Sequence, residues 1–129
     1  MTRFYSALLI LCFARVAMAQ HQLNTPPLRG DPTTHPSCVV FSSPRVGLSN
    51  PVDVTVELRD DTDATLAMTV CPALADSHGC LVSAPSHSRV VFCRITTTPV
   101  SRTNAIRGTL MLMDSSGSVT SAVASRPED

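Results

Sequence analysis

Apolar and polar residues alternate with a period of two over much of the chain from residue 38 onward. The clearest case is residues 52–58, where valines and a leucine alternate with Asp53, Thr55 and Glu57. Such alternation places apolar side chains on one face and polar ones on the other, so it predicts a half-buried β-strand. The polar stretch 60–63 predicts a turn. The alternation then resumes in a run that predicts an antiparallel return strand with one apolar face, formed by Leu66, Met68 and Val70.

Residues 89–98 predict a central strand. This stretch is rich in β-branched residues and carries apolar side chains on both faces, Val91, Cys93 and Ile95 on one and Val90 and Phe92 on the other. A strand that is apolar on both faces is typical of the interior of a sheet.

Shorter strands are predicted at residues 38–41, 80–83, 110–113 and 119–123, with a turn at 114–117. The total is about seven short strands with a turn signal every 8–12 residues, which indicates an all-β sandwich or a small barrel. No helical period is sustained and no repeat occurs. We therefore expect a small antiparallel β-sandwich that is similar to an immunoglobulin domain in outline. It lacks the Trp of strand C and the Tyr before the second Cys that immunoglobulin domains carry.

The first nineteen residues have the pattern of a cleaved signal peptide. Arg3 precedes an uncharged apolar run over residues 4–14, and Ala17 and Ala19 are the small residues that a signal peptidase reads. This run is shorter than the roughly 20 helical residues that a membrane span needs. No second apolar stretch follows, so we expect an extracellular protein that begins at Gln20 and has no membrane span.

The remainder divides into an arm, a domain and a tail. Four prolines bias residues 20–37 toward extended conformations, and the stretch has few apolar residues to bury, so it predicts a mobile, extended arm outside the core. Residues 38–125 form the predicted β-sandwich domain, and residues 126–129 form a polar tail.

The cysteines predict two disulfides. Removing Cys12 with the signal peptide leaves four cysteines, an even number that is typical of a small exported domain. Three pairings exist. We favour Cys71–Cys80, which brackets one loop, together with Cys38–Cys93, which ties the start of the domain to its central strand. Phe41 and Phe92 are expected to pack close to the Cys38–Cys93 bridge.

Composition narrows the classes of function. The chain has ten basic and ten acidic residues, and two of the basic ones leave with the signal peptide, so the remainder is slightly acidic. This balance argues against a nucleic-acid partner. The absence of Lys excludes lysine Schiff-base chemistry and a phosphate-loop lysine. Only two aromatic residues remain, which is too few for base stacking or for an aromatic cage.

Arg29-Gly30-Asp31 is a candidate binding motif in the arm. Integrins read this tripeptide through the Arg and through the Asp carboxylate, which completes the coordination of a metal ion. The motif requires an exposed and flexible setting, which the predicted arm offers. The alternative is a solvated linker.

A second candidate is the loop between Cys71 and Cys80, with Leu74 at its predicted apex. If the two cysteines pair, the loop is clamped and loses little entropy on binding, as in protease inhibitors. The alternative is an ordinary strand connection that the bridge stabilises.

Other residues of the right chemistry do not form a recognisable site. Asp60, Asp61 and Asp63 could offer oxygens to calcium, but the Gly and distal Glu of an EF-hand loop are missing. His78 or His87 could pair with a cysteine as a nucleophile or as zinc ligands, yet export favours oxidised cysteines and no C-x2-C spacing occurs. Motifs of hydrolases and of phosphate-binding loops are absent. We expect no catalytic residues, no metal and no cofactor.

The sequence thus predicts a secreted, non-enzymatic β-sandwich module that binds another protein by an edge strand or a loop, in recognition or adhesion. The first alternative is a protease-inhibitor-like protein that uses the Cys71–Cys80 loop. The second is a small secreted hydrolase.

Overall fold

The computed structural model describes residues 21–42, 52–74, 78–98 and 106–125. These residues form nine β-strands and no helix, so this part of the chain has no helix that could cross a membrane. The predicted signal peptide, residues 1–19, and the predicted tail, residues 126–129, lie outside the described residues and stay predictions.

The strands form two antiparallel sheets. Sheet A contains β1 (His21–Asn24), β2 (Leu28–Arg29), β4 (Val52–Asp60), β5 (Thr65–Leu74) and β7 (Val90–Thr98). Sheet B contains β3 (His35–Ser42), β6 (Gly79–Ser83), β8 (Ile106–Met113) and β9 (Val119–Ala124). The order in sheet A is β1-β7-β4-β5, with β2 also on β7, and the order in sheet B is β6-β3-β8-β9. All seven predicted strands are present, and the all-β sandwich is confirmed.

The core lies between the two sheets and consists of aliphatic side chains and cysteines. Alternate residues of each central strand point inward, and their largest aliphatic side chains are fully buried: Leu58, Ile95, Ile106, Leu110, Val40, Val54, Val56 and Val91. Burying one such side chain contributes about 1.5–3 kcal/mol. The period-two pattern of the sequence is therefore the direct cause of this core.

Both predicted disulfides are present. Cys38 of β3 bonds Cys93 of β7, so this bridge crosses the core from sheet B to sheet A, and both cysteines are fully buried. Cys71 of β5 bonds Cys80 of β6, which joins an edge strand of sheet A to an edge strand of sheet B. The favoured pairing is confirmed.

The expectation that Phe41 and Phe92 pack near the Cys38–Cys93 bridge is wrong. Phe92 adjoins Cys93, and successive residues of a strand point to opposite faces, so its ring lies on the outer face of sheet A. There it is half-buried, with the Arg94 guanidinium 5.7 Å from its centroid. Phe41 lies on the outer face of sheet B and is exposed. The described core contains no aromatic side chain.

The return strand β5 is present, but two of its three predicted inward residues point outward. The pairing with β4 shifts between Leu58 and Arg59, which leaves Leu66 as the extra residue of a β-bulge. One extra residue moves each of the following side chains to the opposite face of the sheet. Met68 and Val70 are consequently exposed, at 59% and 53%, whereas Leu66 still packs against the core.

The expectation that the arm lies outside the core and contributes nothing to it is wrong. β1 and β2 pair with the side of β7 that β4 leaves open. Leu23 is buried in the core. Thr25 continues the pairing, since its N–H donates to the Cys93 carbonyl at 3.0 Å and its hydroxyl accepts the Cys93 N–H at 3.0 Å. The backbone N–H and C=O groups of a central strand need hydrogen-bond partners along both of its edges. For β7, β4 lines one edge and the arm lines the other.

Gly108 of sheet B packs directly against Ile95 of sheet A. Gly108 lies on the inner face of β8, where a Cβ would stand 2.1 Å from Ile95 Cδ1 but 3.5 Å from Ile95 Cγ1. The missing side chain of Gly108 therefore accommodates one methyl group of Ile95.

We predict that Gly108→Ala lowers the free energy of unfolding by about 1–3 kcal/mol through overpacking. Ile95→Val deletes the clashing methyl and by itself costs about 0.5–1.5 kcal/mol. Because that deletion removes the clash, the double variant is expected to lose less than the sum of the single variants by at least about 0.5 kcal/mol. Urea unfolding of the four proteins measures this coupling, and strict additivity would contradict the contact.

Candidate functional site

The two sheets expose outer faces of different chemistry. The outer face of sheet A is polar along β4 and β7, which carry threonines and charged side chains, whereas its edge strand β5 exposes Met68 and Val70. Arg59 there contacts Glu57 at 3.2 Å and Asp63 at 3.0 Å, and Arg94 contacts Asp63 at 2.9 Å. Charges paired in this way on a sheet surface are typical of a face that stays in contact with water.

The outer face of sheet B is largely apolar, and we call it the B face. It consists of the outward side chains of four strands, namely Gly79, Leu81 and Ser83 of β6, His35, Ser37, Val39 and Phe41 of β3, Arg107, Thr109, Met111 and Met113 of β8, and Val119, Ala122 and Ala124 of β9. No acidic residue is among them. Three of the most exposed large apolar side chains of the described chain lie here, Phe41 at 42%, Leu81 at 58% and Val119 at 53%.

The two ends of the B face differ. At one end, the backbone pairing places Phe41 between Gly79 and Arg107. Arg107 is half-buried and has no ion-pair or hydrogen-bond partner among the described residues. At the other end lie His35 and Met113, followed by the turn that begins at Asp114. The face therefore has one unpaired cation at one end and one carboxylate beyond the other.

An open groove of about 640 Å³ occupies the second end. Its walls are mostly apolar and come from His35, Ser37, Ser83, Ala84, Pro85, Met113, Asp114, Ser115 and Gly117. The chain leaving β6 forms one wall, held by the Ala84 N–H, which donates to the Pro36 carbonyl at 3.0 Å. The groove is continuous with the B face because His35, Ser37, Ser83 and Met113 belong to both.

Serine, histidine and aspartate side chains meet in this groove without forming a catalytic arrangement. The Ser37 and Ser83 hydroxyls are hydrogen-bonded to each other at 2.7 Å. Asp114 accepts hydrogen bonds from its own turn. Among the described residues, no hydrogen bond joins His35 to either hydroxyl or to Asp114, and a nucleophile needs such a base within reach.

Arg29-Gly30-Asp31 lies in a fixed part of the fold. Arg29 is exposed and pairs with Val90 through β2. Gly30 is buried, and its N–H donates to the Arg89 carbonyl at 3.0 Å. Asp31 Oδ1 accepts the Thr33 N–H at 2.7 Å and the Thr33 hydroxyl at 2.6 Å. The backbone of the tripeptide is thus held by sheet A, and one carboxylate oxygen is already engaged.

Leu74 is not at the apex of a projecting loop. It is the last residue of β5, pairs with Val52, and is 4% exposed within the core. The bridge beside it borders a smaller pocket of about 320 Å³, lined by Val70, Cys71, Pro72, Ala73, Leu74, His78 and Gly79. Residues 75–77 lie outside the described residues. The clamp between Cys71 and Cys80 is present, but its predicted anchor faces inward.

The aspartates of the turn after β4 face hydrogen-bond donors. Asp60 Oδ1 accepts the Thr62 N–H and hydroxyl, Asp61 lies 3.7 Å from an Arg89 nitrogen, and Asp63 contacts two arginines. No group of three metal-ligating side chains occurs in the described ranges. His87, considered as a nucleophile's partner or a zinc ligand, instead places Nε2 3.6 Å from Asp60 Oδ2. The four domain cysteines are in disulfides.

Three turns share one hydrogen-bonding pattern. Asp31, Asp60 and Asp114 each open a turn and accept, through Oδ1, the N–H and the hydroxyl of the residue two positions later. The pKa of each carboxyl is lowered from its ordinary value, chiefly by the hydroxyl hydrogen bond, from Thr33, Thr62 and Ser116 respectively. Added backbone N–H bonds lower the pKa further.

These turns predict a loss of stability in acid. A carboxyl whose pKa is lower in the folded than in the unfolded state stabilises the fold above its unfolded pKa of about 4, and that contribution is lost as the pH falls through the folded pKa. We expect the urea midpoint to fall below about pH 4. Ser116→Ala removes the main cause of the lowered Asp114 pKa and should reduce this acid sensitivity. Identical acid profiles of the two proteins would contradict the assignment.

The B face was not predicted from the sequence, although the sequence contains a pattern that indicates it. Residues 110–113 are apolar without interruption, and so are residues 38–41. Period two places every second residue of these runs outside the core, so both strands must expose apolar side chains unless something covers them.

No protein-family model matches the chain, and no curated protein or solved structure is significantly similar to it. The class is therefore defined by the fold itself. The protein is a two-sheet antiparallel β-sandwich with one disulfide through its core, a second disulfide between its edges, and one apolar outer face.

Proposed function

We propose that this protein is a secreted, non-enzymatic recognition module that binds another protein through the B face. The observation that carries the proposal is the contrast between the two outer faces. Among the described residues, sheet A pairs its charges on the surface and exposes large apolar side chains only on its edge strand β5, whereas sheet B exposes them on β3, β6 and β9 with a single arginine. A contiguous exposed apolar surface of this kind on a small soluble domain is typical of an interaction site.

The composition of the B face supports this use. Protein interfaces are enriched in aromatic residues, Met and Arg and depleted in Lys, Glu and Asp. The face contains Phe41, Met111, Met113 and Arg107, and neither an acidic residue nor a lysine. Exposed Phe41 and Leu81 are candidates for the anchors that contribute most of the binding energy, because such anchors are large side chains that become fully desolvated.

Secretion is supported by the N-terminal pattern and by the two disulfides. Four cysteines paired in a domain of this size are typical of oxidising compartments. The protease-inhibitor and hydrolase alternatives gain no support from the site, since Leu74 is buried and the groove hydroxyls bond each other.

The test uses two matched variants. Leu81→Glu places a charge on the B face, and Met68→Glu places the same charge on the other sheet at an equally exposed position, 58% against 59%. The secreted chain and both variants are immobilised and exposed to extracellular fluid of the source organism, and retained proteins are identified by mass spectrometry. We expect a protein that is retained by the unchanged chain and by Met68→Glu and that Leu81→Glu loses at least tenfold, as expected of an interface anchor.

Retention that is equal for Leu81→Glu and Met68→Glu would contradict the use of the B face. Thermal unfolding and a non-reducing peptide map of each variant show that the fold and both disulfides persist. Both substituted side chains are exposed, so neither change is expected to alter stability by more than about 0.5 kcal/mol.

A further inference from the structure

The B face has complementary features at its two ends. Phe41 and Leu81 are exposed toward one end, and the apolar groove between Pro85 and Met113 occupies the other. Arg107, which has no partner among the described residues, lies at the first end. Asp114 lies beyond the second, half-buried at the rim of the groove.

The backbone pairing fixes how these features are spaced. Four rows of outward residues cross the sheet, and they contain in turn Phe41 with Arg107, Val39 with Thr109, Ser37 with Met111, and His35 with Met113. Leu81 belongs to the second row and Ser83 to the third. The first and fourth rows are equally far from the centre, as are the second and third.

A two-fold axis that lies in the interface and runs across the strands exchanges these rows. In a face-to-face pair of this symmetry, the first row of one copy lies over the fourth row of the other, and the second lies over the third. Phe41 and Leu81 then lie over the partner copy's groove, and Arg107 lies over the end that holds Asp114. Both contacts occur twice, since a two-fold interface uses the same patch on both copies.

The B face offers enough area for a weak specific interface. The four strands are five to eight residues long, and with about 3.3 Å per residue and a spacing of about 4.8 Å they cover roughly 430 Å². A symmetric pair would bury about 860 Å² in total, which is below the area of stable complexes and typical of weak, transient interfaces. The uncharged centre also brings no like charges together when two copies meet.

From these observations we infer that the B face binds a second copy of this chain, as a symmetric homodimer in which Phe41 and Leu81 of each copy enter the groove of the other. The inference rests on the proposed function in using the same face. It adds the identity of the partner and the orientation of the two copies.

Sedimentation equilibrium of the secreted chain from about 5 μM to about 1 mM tests this inference. We expect the mass to rise from monomer toward dimer, with a Kd on the order of 10–100 μM, because the interface is at the small end of its class. Leu81→Glu should remain monomeric across the series, whereas Met68→Glu should dimerise like the unchanged chain. Equal behaviour of these two variants would overturn the assigned face.

A second pair of variants tests the orientation. Arg107→Glu places a like charge over the partner copy's Asp114 and is expected to weaken the dimer about tenfold or more. Arg29→Glu changes the net charge equally at an exposed position on sheet A and should leave the Kd within about twofold. An unchanged Kd in Arg107→Glu would overturn the orientation across the strands.

The outcomes separate this inference from the proposed function. A chain that stays monomeric to 1 mM, yet loses an extracellular partner through Leu81→Glu alone, overturns the homodimer and leaves the recognition module intact. A dimer that Leu81→Glu abolishes, together with extracellular binding that no B-face variant changes, supports the homodimer and removes recognition of another protein through this face.

Discussion

Replacing Cys38 and Cys93 together by alanine is expected to lower the free energy of unfolding by about 4 kcal/mol or more. The bridge spans 55 residues of sequence, and the chain-entropy model assigns about 4.2 kcal/mol to a loop of that length. Domains of this size have a total stability of about 5–15 kcal/mol, so the loss would remove between about a quarter and four-fifths of it. Both cysteines are fully buried between the sheets, and the space left by the sulfurs adds a cavity cost.

The matched control is the second bridge. The double variant Cys71→Ala/Cys80→Ala removes the disulfide between the two edge strands. Its cysteines are only nine positions apart in the sequence, and for a loop this short the same model gives about 2.7 kcal/mol. Urea unfolding of the two double variants should therefore rank the core bridge as the more stabilising. If the Cys71–Cys80 bridge proved the more stabilising, loop length would not be the main determinant of the two contributions. The bridge between the sheet edges would then stabilise the fold more than the bridge between the sheet centres.

The positions of the strands in the sequence were predictable because they depend on local patterns of residues. Period two in residues 52–58 and the β-branched run at 89–98 determine which side chains can share an apolar face, whatever the neighbouring strands are. The disulfide pairing followed from the same local reasoning. Cys71 ends one predicted strand and Cys80 begins the next, so they lie at adjacent strand ends, which leaves Cys38 and Cys93 for each other.

The features that escaped prediction depend on which strands are neighbours. The bulge at Leu66 exists only in the pairing of β5 with β4, and it reverses Met68 and Val70. The arm appeared free because its own residues are mostly polar, but the open side of β7 determines its place. A short polar segment can be ordered by a neighbour's unpaired backbone, and its composition does not reveal this.

The candidate site was less predictable than the fold for the same reason. Phe41, Leu81 and Met111 lie in three separate stretches of the sequence, and only the pairing of β3 with β6 and β8 assembles them into one face. The motif that the sequence did offer, Arg29-Gly30-Asp31, has a structural explanation for its central residue.

Gly30 occupies a position where the backbones of two segments touch. Its N–H donates to the Arg89 carbonyl at 3.0 Å, and a Cβ on Gly30 would lie 2.1 Å from the His87 carbonyl oxygen. No flexible side chain can yield there, because the obstacle is backbone. The pairing of β2 with Val90 on one side and the turn after Asp31 on the other restrict any shift of Gly30 itself.

Gly30→Ala is therefore expected to cost about 3 kcal/mol or more, at or above the upper end of ordinary overpacking, because the arm must separate from β7 to admit the methyl group. Gly79→Ala is the matched control, since its Cβ would lie 3.5 Å from the Val40 carbonyl oxygen, an ordinary contact, and should change stability by no more than about 0.5 kcal/mol. Urea unfolding measures both. In Gly30→Ala, hydrogen exchange should be faster at the amides of residues 25 and 30, which donate to the Cys93 and Arg89 carbonyls. Equal stability of the two variants would mean that the arm is not packed against β7, and Arg29-Gly30-Asp31 would regain the free setting that a receptor motif needs.

If the large loss of stability is found, a failure of Gly30→Ala in cell adhesion reports unfolding and not a lost receptor contact. Arg29→Ala, which alters an exposed side chain, then becomes the variant that tests receptor binding.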